Sequence, residues 1–311
     1  MDKPNVNVIF VFLDGVGLGE DDAAINPFAT LSLPAFIRLS NHERWVLHQD
    51  VTSEKDHVFR PIDANLDVEG LPQSGTGQAS LLTGENCAQL AGRHYGPFPH
   101  TRTRETLRAK NVFNRIKELL DGRTDPVAFA NAYPERFFRY VAEKNRWSVT
   151  TRMCLDSGVL IRDTEHLHNG QALAADITGQ AWKNADLSDY TPISERTAAE
   201  QLFRLSRSYA LTLFEYYLTD KAGHARSRTM AENVLKSLDR FFARLIELID
   251  PKRDLLLVTS DHGNLEDLST KGHTRNPVPL VAFGRGASHF RDVTSITGVT
   301  PAILSVLKEN V

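Results

Sequence analysis

Short, largely apolar runs recur along the chain: Val6–Leu13, Val127–Ala130, Ala210–Tyr217, Leu255–Thr259 and Leu280–Phe283. Runs of this length fit strands buried on both faces, because a strand with one wet face would alternate polar and apolar positions. Between them the apolar spacing changes to three and four residues. Gln78–Leu90, Val112–Leu120, Ala198–Arg207 and Arg228–Ile249 read as helices, the last with Met230, Val234, Leu238, Phe241, Leu245 and Ile249 on one stripe. Gly298–Leu307 reads as a short closing helix, with Thr300 as N-cap and Pro301 in first position. Strands alternating with helices predict an α/β fold, a three-layer α/β/α sandwich with a mostly parallel sheet. In such sheets ligands collect beyond the carboxyl ends of the strands.

Residues 1–311 read as one domain. Segments 95–111 and 134–192 are less regular and rich in Arg, His, Asn and Asp, and read as lid insertions. The first apolar run is too short to span a membrane, no small-residue cleavage site follows it, and no other stretch approaches spanning length. A formal net charge of −3 argues against a nucleic-acid wrapper and against dependence on an anionic membrane. Cys87 and Cys154 stand far apart in no CxxC arrangement, so neither a disulfide framework nor a thiolate zinc site is expected. A reducing cytoplasm fits that usage. The oligomeric state is left open.

The polar residues that carry chemistry follow the apolar runs. Asp14 closes the first run, in Phe12-Leu13-Asp14-Gly15-Val16-Gly17. Asp-Gly after a strand is by itself more often a turn than a ligand. The fourth run ends in Ser260-Asp261-His262-Gly263-Asn264, and Gly263 allows the bend that turns two neighbouring side chains into one site. Asp220 and His224 end another strand four residues apart, and His273 stands just before the last run. Of the 11 histidines, His42, His48, His57, His94, His100, His166, His168 and His289 have no such setting and read as surface or structural. Oxygen and imidazole ligands without thiolate suit Zn²⁺ or Mn²⁺. Six exceed what one tetrahedral ion needs; two ions about 4 Å apart can clamp the attacking and leaving oxygens of an in-line displacement. The candidate nucleophile lies in Leu71-Pro72-Gln73-Ser74-Gly75-Thr76-Gly77-Gln78, just before a helix start. Ser74 and Thr76 both qualify, and either could instead be an N-cap.

Together these segments resemble the alkaline phosphatase superfamily, and within it the branch of cofactor-independent phosphoglycerate mutase and phosphopentomutase. Asp261-His262-Gly263-Asn264 and His273-Thr274-Arg275-Asn276-Pro277-Val278-Pro279 are similar to the mutase motifs, and Asp220 to His224 is similar to the family's Asp-x-x-Gly-His. The resemblance implies that Asp220, His224 and His273 hold one ion. Asp14, Asp261 and His262 would hold the other, together with the nucleophile oxygen. The mutase pattern Ser-x-x-Gly-His, with a later glycine, matches Ser74, Gly77 and Gly84 and favours Ser74, with Thr76 as runner-up. Gln78 stands where the family has histidine, and Gly92 to Lys110 leaves little room for the mutases' large cap. The sulfatase and phosphodiesterase patterns are broken at Thr76, Gln78 and Gly77.

The expectation is therefore a metal-dependent phosphatase or phosphomutase-like enzyme acting on a small-molecule phosphate ester through a Ser74 phosphoenzyme. A phosphodiesterase, phosphonate hydrolase or sulfate ester hydrolase is the alternative on the same metals. A catalytically silent metal-binding sensor is the third reading. Arg102, Arg104, Arg108 and Lys110 read as a solvated charged face, whereas Arg136 and Arg139 are better placed for phosphate contact. Phe137, Phe138 and Tyr140 read as core or lid packing.

Overall fold

Period-two alternation decides which side of the sheet each strand residue serves. The computed structural model describes residues 6–47, 51–184 and 190–309. Its strands are β1 (Asn7–Leu13), β2 (Thr52–Ser53), β3 (His57–Ile62), β4 (Val127–Phe129), β5 (Leu211–Tyr216), β6 (Asp254–Ser260) and β7 (Val278–Gly284). They form one seven-stranded sheet in the order β2-β3-β7-β6-β1-β5-β4. The early helices are α1 (Pro34–Leu39), α2 (Ser74–Thr83), α3 (Cys87–Ala91), α4 (Arg104–Lys110) and α5 (Val112–Leu119). The middle of the chain adds α6 (Glu135–Lys144), α7 (Val149–Asp156), α8 (Thr164–His168) and α9 (Gln180–Asn184). Then come α10 (Glu195–Ser206), α11 (Leu218–Ala225), α12 (Arg228–Leu248) and α13 (Val299–Lys308).

Val8, Phe10, Phe12, Leu211, Leu213, Leu255 and Leu257 face one core, which α2, α5, α7 and α13 cover. Ile9, Val11, Leu13, Phe214, Tyr216, Leu256 and Val258 face the other, under α1, α10 and α12. The three layers follow from this division. Each fully buried Val, Leu, Ile or Phe side chain contributes roughly 1.5–3 kcal/mol by leaving water.

The sheet is mixed. β6, β1, β5 and β4 are parallel, but β7 runs antiparallel to β6, and β3 antiparallel to β7. β7 was expected to run parallel. No helix crosses between β6 and β7, so the chain returns along the edge it has just left, with Thr259 opposite Leu280. β3 escaped the sequence reading because Arg60 and Pro61 interrupt its apolar pattern.

Local readings shift in instructive ways. The single helix expected over Gln78–Leu90 is broken at Gly84, which adopts φ 79° and ends α2. The N-cap of α13 is Gly298 rather than Thr300, whose hydroxyl instead donates to the Leu81 carbonyl at 2.7 Å and ties α13 to α2. Within 134–192, α7 buries Val149, Met153 and Cys154 in the main core, so this segment is partly structural. Ala132, Leu167, Ala172, Ala174 and Tyr190 make a small satellite cluster. Residues 185–189 of that segment, and His48, lie outside the described residues. No helix among the described residues is long and apolar enough to cross a membrane.

Candidate metal centre

Parallel β1, β5 and β6 end at one edge of the sheet, and the antiparallel β7 begins there. Asp14 follows β1 directly and Asp261-His262 follow β6. His273 lies on the β6–β7 return, so the missing crossover helix is what brings it back to this edge. Asp220 and His224 were read as closing a strand; they sit on α11, where spacing four puts both on one face a turn apart. Ser74 is the first residue of α2. Five segments therefore meet.

Asp220, His224 and His273 present ligand atoms that lie within 4.8 Å of one another, as do Asp14, Asp220 and His262. Asp220 thus reaches both groups. Asp261 lies beside the second, with Oδ2 3.5 Å from His262 Nε2, while Asp14 Oδ1 is 3.3 Å from that nitrogen. Ser74 Oγ lies 2.9 Å from His262 Nε2. Thr76 is placed differently. Its fully buried hydroxyl faces the carbonyls of Gln73 and Tyr95 at 3.3 Å and accepts the Tyr95 N–H at 3.1 Å.

The imidazoles are oriented from behind. His273 Nδ1 meets the Pro72 carbonyl at 2.6 Å, and His224 Nδ1 meets the Lys271 carbonyl at 2.9 Å. A carbonyl only accepts, so both Nδ1 atoms carry a hydrogen, and in the neutral, metal-ligating form both Nε2 atoms keep a lone pair. These Nε2 atoms face each other at 3.1 Å, with Asp220 oxygens 3.3 and 3.5 Å away. Facing lone pairs beside a carboxylate repel unless a cation lies among them. This carbonyl-backed arrangement is common for metal-ligating histidines. In the second group, Asp14 Oδ1 and Asp261 Oδ2 are buried with no hydrogen-bond partner. Buried carboxylate oxygens left unpaired are costly, and a divalent cation would satisfy them. The donor set fits two such ions.

The signature of the Metalloenzyme superfamily matches residues 175–309. A 2,3-bisphosphoglycerate-independent phosphoglycerate mutase of Thermomicrobium roseum is 31% identical over 134 residues, which cover 39% of this chain and 26% of the mutase. The mutase of that name from Vibrio parahaemolyticus is 32% identical over 108 residues, 32% of this chain and 21% of its own. The chain thus spans only about a quarter of the length of the curated relatives it matches. Among solved structures, the PH0037 protein of Pyrococcus horikoshii superposes with a TM-score of 0.56 at 11% identity, covering 99% of this chain and 98% of that one. The phosphoglycerate mutase of Leishmania mexicana gives a TM-score of 0.52 at 12% identity, over 99% and 96%. Those superpositions speak for the fold.

The carboxyl-terminal part of the chain thus carries a Metalloenzyme superfamily signature, on a fold shared with these structures.

Several residues to which sequence reasoning gave no role shape the centre. Gln78 Nε2 donates to Asp14 Oδ2 at 3.2 Å, from the position where the mutases have histidine. Asn264 Nδ2 donates to Asp220 Oδ1 at 2.6 Å. Glu266 is fully buried; its Oε2 accepts the N–H groups of Gly17 and Asn264, each at 2.8 Å. Its Oε1 accepts from Asn276 Nδ2 at 3.1 Å and from the Thr274 hydroxyl. Asn264 and Glu266 were visible as part of one polar run after β6, but nothing local distinguished them from loop residues. Of the remaining histidines, His57 and His94 face backbone carbonyls, and His166 and His289 face carboxylates, away from the centre.

Charge crowding leaves its mark. Burial, followed by the Asp14 charge, pushes Asp261 well above the usual carboxylate range, and burial raises Asp14. Burial opposes a proton on His262, yet Asp261 and Asp14 outweigh it and lift the imidazole to about 10. Burial and then the neighbouring His262 lower His273 to about 4. A proton on His262 therefore offsets the carboxylates when no cation does. At the end of β5, buried Glu215 accepts the Thr150 hydroxyl at 2.6 Å, and burial lifts it to about 7.

Proposed function

We propose that the chain is a two-metal-dependent phosphoryl-transfer enzyme, a phosphomonoester hydrolase or phosphomutase-like transferase, acting through a phosphoenzyme on Ser74. The reading rests above all on the Ser74 hydroxyl standing 2.9 Å from His262 Nε2, beside the unpaired oxygens of Asp14 and Asp261. Asp220, His224 and His273 would hold one divalent ion, and Asp14, Asp261, His262 and Ser74 the other, zinc or manganese by ligand type. Such ions supply charge neutralisation at the phosphoryl oxygens and a lower pKa at the serine hydroxyl.

The chain's own groups do the rest. Gln78 fixes one oxygen of Asp14, and Asn264 fixes Asp220, so the ligand set is held before substrate arrives. Ser74, at the first turn of α2, attacks phosphorus; the Oγ–P bond forms as the ester P–O bond breaks and the alcohol leaves with a proton. Water or an acceptor hydroxyl then takes the phosphoryl group and restores the serine. Thr76 is committed to the Tyr95 backbone and serves the loop.

The test is a panel of phosphate monoesters, diesters and sulfate esters, with metal content measured on each protein. Ser74→Ala is expected to lose turnover and keep its metal, whereas Thr76→Val retains most of the rate. Mass spectrometry of protein quenched during turnover should find phosphate on Ser74. Near-normal phosphate release by Ser74→Ala would overturn the nucleophile. Metal-loaded protein that binds these esters but turns over none would be the silent sensor.

A further inference from the structure

Arginine gathers at one place outside the metal centre. The loop from Arg93 to Thr101, the start of α4 and the segment Asn145–Arg152 enclose a cavity of about 390 Å³. Arg93, Arg104, Arg146 and Arg152 line it, and no carboxylate does. In a chain of net charge −3 this is a local concentration of positive charge. Among the described residues, only Arg152 of the four has an ion-pair partner, Asp156 at 2.9 Å. Nearby, Arg108 is already paired with Glu105 and Lys110 with Glu85.

Aromatic rings set two of the guanidiniums in place. Arg93 lies over Tyr95 at 5.6 Å and Arg146 over Phe98 at 5.8 Å. A guanidinium held over a ring still offers N–H groups that can grip a phosphate or carboxylate in a bidentate manner. Unpaired cations crowded in this way repel one another until an anion enters.

One wall of the cavity also packs against the nucleophile turn. The Tyr95 carbonyl accepts the Thr76 N–H at 2.8 Å, and a Cβ on Gly96 would stand 3.3 Å from the Ser74 nitrogen. The loop that walls the cavity therefore has its other side on the nucleophile turn. On the far wall, Thr150, two residues before Arg152, bonds Glu215 at the carboxyl edge of the sheet.

We propose that this cavity is the subsite for a second anionic group, a phosphate or a carboxylate, on the ester whose phosphoryl group is handled at Ser74. The assignment rests on the phosphoryl-transfer reading above. It makes the substrate a dianionic ester in which two charged groups are separated by a short spacer.

Metal-loaded wild type and the Arg104→Gln/Arg146→Gln double variant are titrated calorimetrically, at low salt, with methylphosphonate and with ω-carboxyalkylphosphonates of increasing chain length. Both arginines are exposed, so an unchanged melting temperature is expected and serves as the folding control. At least one carboxyalkyl member should bind wild type about tenfold or more tighter than methylphosphonate. The double variant should lose that gain and keep its methylphosphonate affinity. The proposal falls if no chain length improves binding, if the gain survives in the double variant, or if both ligand types weaken alike. Failure of the phosphoryl-transfer reading looks different: methylphosphonate itself does not bind wild type, and the subsite falls with it.

Discussion

Glu266→Ala separates a residue that organises the metal centre from one that merely fills space. The carboxylate is fully buried, and its two oxygens join three loops: Gly17 after β1, Asn264 after β6, and Thr274 and Asn276 before β7. Truncation strands two buried backbone N–H groups, each costing about 1–3 kcal/mol, and removes two further side-chain hydrogen bonds. Glycines at 17, 19 and 263 pack against this side chain, so the void cannot close easily. A total of about 3–6 kcal/mol is expected, a large share of the 5–15 kcal/mol that ordinarily holds a domain. Glu266→Gln keeps the volume and one acceptor but sets an amide nitrogen against Asn276 Nδ2, for about 1–3 kcal/mol. The assay is urea denaturation of metal-free protein, followed by metal titration of each variant. Metal affinity should fall in the same order, since Asn264 braces Asp220 and Thr274 adjoins His273. Glu266→Ala within about 1 kcal/mol of wild type, with unchanged metal affinity, would refute the reasoning.

Three further outcomes are expected. Glu215 has a folded value raised from 4.5 to about 7, so the folded state binds the extra proton; its contribution is complete below 4.5 and is lost as pH rises through about 7. That is about 3 kcal/mol, and Glu215→Gln should flatten the stability profile of metal-free protein across this window; parallel profiles would count against it. Chelation should lower the melting temperature by several degrees, and zinc or manganese should restore it, since a ligand at ~1,000 times its Kd adds about 4 kcal/mol; an indifferent melting curve would mean the paired ligand groups hold no ion. Gly15→Ala forces a side chain into φ 71° with its Cβ 2.8 Å from that of Asp220, so a loss of at least ~1–2 kcal/mol should accompany weaker metal binding, read by denaturation and titration.

Most of the residues that converge at the sheet edge were legible because they stand just beyond an apolar run, or just before one in the case of His273, and a run of that kind has few uses other than a buried strand. The route by which they meet was not. His273 reaches the centre only because β7 turns back antiparallel, and strand direction leaves no trace in a short apolar run such as Leu280–Phe283. Asp220 and His224 carried helical spacing, yet the apolar run before them masked the point where β5 ends and α11 begins. Gln78, Asn264 and Glu266 were illegible for another reason. Each role depends on at least one partner 44 to 249 positions away, and residue type alone does not specify such a partner.

The centre is also where the chain departs most from the rules that built the rest of it. Elsewhere in the sheet, apolar side chains fill both faces. At the carboxyl edge three carboxylates and three imidazoles converge, two of the carboxylate oxygens are buried without partners, and two imidazole lone pairs face each other at 3.1 Å. Local energetics cannot favour that arrangement, because each of these groups would be better solvated or paired in an unfolded chain. The surrounding cores and the bracing by Glu266, Gln78 and Asn264 hold it instead. Stability is thus concentrated in the layers and spent at one edge, where a divalent cation would return much of it. A protein that gained nothing from a cation there would have no physical reason to keep those oxygens dry.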